Sequence, residues 1–124
     1  MKVFENFDDK VNFVDENNVF LGYELERDCC ENFGWFISNK PRKSIQRNKE
    51  FDLTNFRFDK KFFKSVKFKY DENSDEDKEG GMVIFKITDG EKELFIHLFN
   101  VHNGYYAHGF EFKTDDKLIM KDDL

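Results

Sequence analysis

The chain has 124 residues, a formal net charge of −6, and 37% charged against 39% hydrophobic residues. No apolar run approaches the ~20 residues that span a bilayer, the N-terminus has no apolar signal-peptide core, and the only cysteines are the neighbours Cys29 and Cys30, which build no disulfide framework. A composition this polar tends towards disorder, but 17 Phe and an aromatic content of 18% supply enough bulky apolar surface for a core, so the expectation is one folded, cytoplasmic domain over 1–124.

The first predicted element is a hairpin over Val11–Glu26. Val11-Asn12-Phe13-Val14 is followed by the turn formers Asp15-Glu16-Asn17-Asn18. Then Val19, Leu21, Tyr23 and Leu25 alternate with Phe20, Gly22, Glu24 and Glu26, the period of two of a half-buried strand. Asp28–Gly34 reads as a short helical turn, and Trp35-Phe36-Ile37 as a strand closed off by Pro41. Residues 38–50 are polar and basic, the composition of a loop. Val66, Phe68 and Tyr70 alternate with Lys67 and Lys69 in a further strand, with a bend or helical turn before it at Asp59–Lys64. Asp71–Gly81 is acidic, lacks apolar residues and ends in Gly80-Gly81, so it is expected to be a mobile loop.

Met82 to Lys113 reads as a three-stranded meander with two-residue turns at Asp89-Gly90 and Asn103-Gly104. That register sets Phe85 opposite Leu94, Val83 opposite Ile96, Phe99 opposite His108 and His97 opposite Phe110. One face then carries Val83, Phe85, Ile87, Leu94, Ile96 and Leu98. The other gathers Met82, Ile84, Phe95, His97, Phe99, Val101, Tyr106, His108, Phe110 and Phe112. Two apolar faces call for a covering layer on each, for a binding surface, or for a second copy of the chain. A last strand covers Lys117–Met120. No window keeps the spacing of a long helix, so the expected fold is mainly β, α+β at most: an antiparallel sheet or sandwich ending in the meander.

The chemistry on offer is sparse. His97 and His108 are diagonal neighbours in the meander register, which suits either a proton-handling or metal-binding pair or two imidazoles in an aromatic core. His97 and His102 fall on opposite faces of a strand, and adjacent cysteines rarely chelate one ion, so no metal or other cofactor is expected. A thiolate at Cys29 or Cys30 is disfavoured by the flanking Asp28 and Glu31. Walker, dinucleotide-binding and nucleophile-elbow motifs are absent from the sequence.

Charge is divided along the chain. Residues 1–39 carry 3 basic and 9 acidic side chains, 40–69 carry 11 and 3, and 70–124 carry 6 and 14. The basic third either neutralises itself against acidic strands or forms a basic face for an anionic ligand. Its aromatics suit a small nucleotide-like ligand. Polymeric nucleic acid is opposed by the overall negative charge.

With Asp28-Cys29-Cys30-Glu31 early, Phe85-Lys86-Ile87 in the middle and Asn103-Gly104-Tyr105-Tyr106 late, the chain resembles small bacterial and phage domains over roughly Val11–Phe112. The resemblance implies a compact β-rich domain and transfers no catalytic residue.

The leading expectation is therefore a small, acidic, non-catalytic binding protein. It would inhibit or sequester a partner, as immunity and phage anti-defence proteins do, the partner being a protein or a small nucleotide-like ligand. Candidate ligand-binding residues are His97, His108, Tyr106, Trp35, Arg57 and Lys67; Asp75, Glu76 and Asp77 are the candidate contact for a basic protein. The competing expectation is a small enzyme that uses His97 and His108 with a cysteine or a metal.

Overall fold

Val11, Phe13, Val19, Leu21 and Tyr23, every second residue of the first hairpin, are all buried. They form the inner face of one layer of a β-sandwich. The computed structural model describes residues 1–6, 10–25, 32–47, 49–69, 77–101, 109–114 and 117–124. The strands are β1 (Lys2–Asn6), β2 (Lys10–Val14), β3 (Val19–Glu24), β4 (Asn32–Ser38), β5 (Arg57–Lys69), β6 (Asp77–Thr88), β7 (Glu93–Val101), β8 (Gly109–Thr114) and β9 (Lys117–Asp123). They make two antiparallel sheets, ordered β1-β2-β3-β8-β9 and β4-β7-β6-β5. No helix among the described residues is long and apolar enough to cross a membrane.

The sheets meet along a core of aromatic contacts. Phe85 lies 5.0 Å from Phe112 and 6.0 Å from Phe110, ring centre to ring centre, and Phe13 meets Trp35 edge-on at 5.2 Å. Each buried Phe contributes about 1.5–3 kcal/mol through the apolar area it removes from water. The Tyr23 hydroxyl donates to the Phe99 carbonyl at 2.8 Å, joining β3 of one sheet to β7 of the other.

The first turn is organised by Asp15. Its Oδ1 accepts from the amides of Asn17 and Val19, and its Oδ2 from the amide of Phe58 on β5, each at 2.9 Å. Asn18 takes the left-handed conformation, φ 59°, which Asn tolerates. A buried carboxylate thus shapes a hairpin turn and pins it to the opposite sheet.

The meander is corrected. β6 and β7 do form a hairpin, but β8 leaves β7 and pairs with β3 and β9. Phe110 sits opposite Tyr23, and His97 opposite Ile84 and Phe36. The reason is visible in β8 itself. Phe110 and Phe112 are buried, while Gly109, Glu111 and Lys113 are partly exposed, so the strand has one wet face. It fits the sheet with a solvated outer side, whereas β6 and β7 are apolar on both sides. The turn at Asn103-Gly104 and the residues His102, Tyr106 and His108 lie outside the described residues.

The turn after β6 is also longer than two residues. Thr88 pairs with Glu93, and Asp89 to Lys92 form the turn, with Gly90 at φ 99°. The Asp89 amide donates to the Lys92 carbonyl at 3.3 Å. The Asp89 carboxylate accepts from the amides of Lys92 at 2.7 Å and Glu91 at 2.9 Å, and these bonds hold its pKa below the usual range. The register moves by two residues, so the face assignment survives: Val83, Phe85, Ile87, Leu94, Ile96 and Leu98 all join the inter-sheet core.

Three further expectations change. Residues 77–81 belong to β6 and not to a loop, because Lys69 and Phe68 of β5 pair with Asp77 and Lys78. Asn32–Gly34 are strand residues of β4, where a Cβ on Gly34 would come within 3.2 Å of the Phe99 ring. Residues 59–64 stay extended within β5, the irregularity being a register shift between Phe58 and Phe63. Strand β1 was not expected from the sequence.

Candidate functional site

Between β4 and β5 the described residues 39–47 and 49–56 belong to a long connection and lie in neither helix nor strand. Loops of this length are uncommon and are often functional. It is held down at several points: Ser44 is buried, Phe51 and Leu53 pack against the main core, and Phe56 is buried within it. Its two ends do different things, one sealing a chamber and the other bordering an open trough.

The sealed chamber holds His97. The outer face of β4, β6 and β7 forms a second core of Phe36, Met82, Ile84, Phe95 and Phe99, with Phe62 and Val66 of β5 folded against it. His97 sits among these residues with no solvent-exposed surface, its ring stacked on Phe36 at 4.2 Å and 11°. The Arg42 amide donates to His97 Nε2 at 3.0 Å. Nε2 is therefore the acceptor, and Nδ1, 3.1 Å from the Phe95 carbonyl, carries the proton. Burial, together with the charge of Arg42, pushes the imidazole down to about 4 despite its hydrogen bonding to the backbone of Phe95 and Phe36. At neutral pH His97 is uncharged, and both its nitrogens are engaged.

The open trough runs along β4. A cavity of about 630 Å³ is lined by Val3, Glu5, Trp35, Ile37, Lys49, Glu50, Phe51 and Leu53. A second, of about 260 Å³, is lined by Ile37, Ser38, Asn39, Arg42, Gln46, Arg47, Lys49 and Phe51. They share Ile37, Lys49 and Phe51, so they form one trough with an apolar floor. Trp35 Nε1 donates to Glu5 Oε1 at 3.2 Å, which orients the indole. At the other end Arg42 Nε donates to Ser38 Oγ at 3.1 Å, which fixes that guanidinium. None of the described ion pairs involves Arg42, Arg47 or Lys49, and no acidic side chain lines the smaller cavity. The trough is cationic at the Arg42 end and carries Glu5 and Glu50 at the Trp35 end.

A third cleft, of about 420 Å³, crosses the outer face of the larger sheet between Lys10, Glu24, Glu111 and Lys121. Its charges alternate in sign, and Lys10 lies 3.9 Å from Glu111, so it offers an anion or a cation little net attraction.

The expected site residues do not converge. Trp35 lines the trough and His97 is sealed in the chamber. Arg57 begins β5 beside the Asp89–Lys92 turn, with its guanidinium 3.8 Å from where a Gly90 Cβ would stand. Lys67 is exposed on β5, at the far edge of the sheet with two strands between it and β4. Asp75 and Glu76 lie outside the described residues, and Asp77 opens β6 opposite Lys69. Among the described residues no three His, Cys, Asp or Glu side chains converge as metal ligands would. The residues that do share a site with Trp35 are Phe51, Arg42, Arg47 and Lys49. Their signal in the sequence was a Pro-containing, cation-rich connection too long for a simple turn.

Comparison with protein-family models, curated proteins and solved structures gave no match.

Proposed function

We propose that this chain is a non-catalytic binding protein that sequesters or inhibits a partner carrying anionic groups, and that it holds that partner in the trough beside β4. The observation that carries this reading is the trough itself: an aromatic floor of Trp35 and Phe51 leading to Arg42, Arg47 and Lys49, which have no ion-pair partner among the described residues. Cations grouped around a partly apolar cleft attract and orient anionic ligands. The enzyme reading loses its best-placed histidine, because a buried imidazole with both nitrogens bonded reaches neither a substrate proton nor a metal. Sequestration or inhibition is supported by the small size, the acidic net charge and the uneven distribution of that charge, which steers association.

Trp35 is the chain's one tryptophan, so its emission reports on the trough alone. Titration with ATP and with a short glutamate-containing peptide should shift that emission for at least one probe, less strongly as salt is raised. The paired variant Arg42→Glu/Arg47→Glu should weaken the response by about ten-fold or more. No response to either probe at millimolar concentration would contradict the reading.

A further inference from the structure

The trough changes its chemistry from end to end. Glu5 and Glu50 stand in the larger cavity, Arg42 and Arg47 in the smaller one, and Lys49 lines both. Between the two ends Trp35, Ile37 and Phe51 supply apolar and aromatic surface. The carboxylates repel a second anion, so a ligand that is anionic along its whole length fits only half of the trough. Two guanidiniums and an ammonium around a cleft of about 260 Å³ hold more positive charge than one carboxylate answers. A phosphate monoester carries about 1.5–2 negative charges at pH 7 and three acceptor oxygens, which match the forked N–H donors of arginine. The Arg42 guanidinium is already held in place by its Nε bond to Ser38 Oγ.

The walls select by size. On one side Phe36, Ile37 and Ser38 of β4 are buried. On the other, residues 49–53 are tied down: the Met1 amino group donates to the Leu53 carbonyl at 2.9 Å, and Phe51 and Leu53 pack on the main core. An extended chain meets residues 49–53 before it reaches β4, whereas a compact molecule lies between the two walls. Small-molecule sites ordinarily enclose about 300–1,000 Å³, and the larger cavity, of about 630 Å³, falls in that range. Its indole is already immobilised, by the Nε1 bond to Glu5 and by the Phe13 ring edge-on at 5.2 Å. A ring fixed in this way loses little further freedom when a flat ligand packs on it.

We infer that the trough binds a purine mononucleotide, with the base against Trp35 and Phe51 and the phosphate among Arg42, Arg47 and Lys49. The inference rests on the trough reading above and names its ligand. A purine presents a wide π-face to the aromatic floor. The exocyclic amino group of adenine or guanine donates hydrogen bonds, and ionised carboxylates only accept them. Glu5 Oε1 is engaged by the indole, so Glu5 Oε2 and the Glu50 carboxylate are the acceptors at the base end. A ligand with donors at one end, a flat ring in the middle and a phosphate at the other follows the order of side chains along the trough.

The test uses the full chain, Trp35 emission and titration calorimetry, with AMP and GMP as ligands. At least one of them should bind and change the emission. Removing its phosphate, as in the nucleoside, or its base, as in ribose 5-phosphate, should each weaken binding by about ten-fold or more. Arg47→Glu should weaken the nucleotide and ribose 5-phosphate and leave the nucleoside unchanged. Glu50→Gln should weaken the nucleotide and the nucleoside and leave ribose 5-phosphate no weaker. Both positions are exposed, so neither substitution threatens the fold. Ribose 5-phosphate or inorganic phosphate binding as tightly as the nucleotide, or the glutamate-containing peptide binding where neither nucleotide does, would overturn the nucleotide assignment and leave the trough reading intact. Nucleotide binding indifferent to both substitutions would place the ligand elsewhere and overturn the inference. Silence from nucleotides and peptide alike would remove both.

Discussion

The His97 chamber and the β4 trough are served by the same loop, yet they are built in opposite ways. In the chamber every polar atom of the imidazole is answered: Nε2 by the Arg42 amide, Nδ1 by the Phe95 carbonyl, and the ring face by Phe36. In the trough the cations of Arg47 and Lys49 take part in none of the described ion pairs, and the smaller cavity that both line holds no acidic side chain. Arg42 belongs to both, its main chain closing the chamber and its side chain lining the trough. The comparison teaches that a buried titratable residue is a poor guide to function here. A satisfied polar group is part of the fold, and unanswered charges beside an aromatic floor are what a partner can still engage.

The largest expected effect falls on the chamber. His97→Ala removes a stacked ring and leaves the Arg42 amide without its acceptor, so it should destabilise the protein by about 3 kcal/mol in urea unfolding. A loss below about 1 kcal/mol would mean that the chamber is not the structural unit drawn here. Acid should have a comparable effect. The folded imidazole titrates near 4 and the unfolded one near 6.5, so the unfolded state takes up the proton first. This contribution to stability is complete above pH 6.5, falls as pH drops, and is gone below about 4, a change on the order of 3 kcal/mol. Carboxylates titrate over part of the same window, so the comparison is with His97→Gln, whose stability profile should be flatter between those limits. Equal slopes would place His97 in water.

The trough should respond differently. Phe51→Ala, at a half-buried position packed on the core, should lower stability by about 1–2 kcal/mol and also weaken ligand binding. Arg47→Glu, at an exposed position, should leave stability within about 0.5 kcal/mol and act on binding alone. If Arg47→Glu unfolds the protein, or Phe51→Ala leaves binding untouched, the separation of chamber from trough fails.

Much of the fold was legible because it follows a period of two. Val11–Val14 and Val19–Tyr23 lie in strands, as do Val83–Ile87 and Leu94–Leu98, the short apolar run Leu118–Met120 lies in β9, and the two faces of β6 and β7 were assigned correctly even though the turn register was off by two. The two hairpins β2-β3 and β6-β7 were legible, but the partner of β8 was not. A turn signal at Asn103-Gly104 suggested local pairing, whereas the one-sided burial of Phe110 and Phe112 matched β3 and sent β8 to the other sheet. β1 was hidden because Lys2-Val3-Phe4-Glu5-Asn6 is short and mixed, and its strand exists only against β2. The trough was half legible. Trp35 and the basic residues after Pro41 stood out singly, but only the packing of Phe51 and Leu53 brings that loop back against β4.

The most direct test is amide chemical-shift mapping of the protein during titration with ATP and, separately, with the acidic peptide. The account predicts that the perturbed residues cluster at Trp35, Ile37, Arg42, Arg47, Lys49 and Phe51, with β5 silent. Perturbations confined to the lysine-bearing β5 edge, or none with either probe, would contradict it.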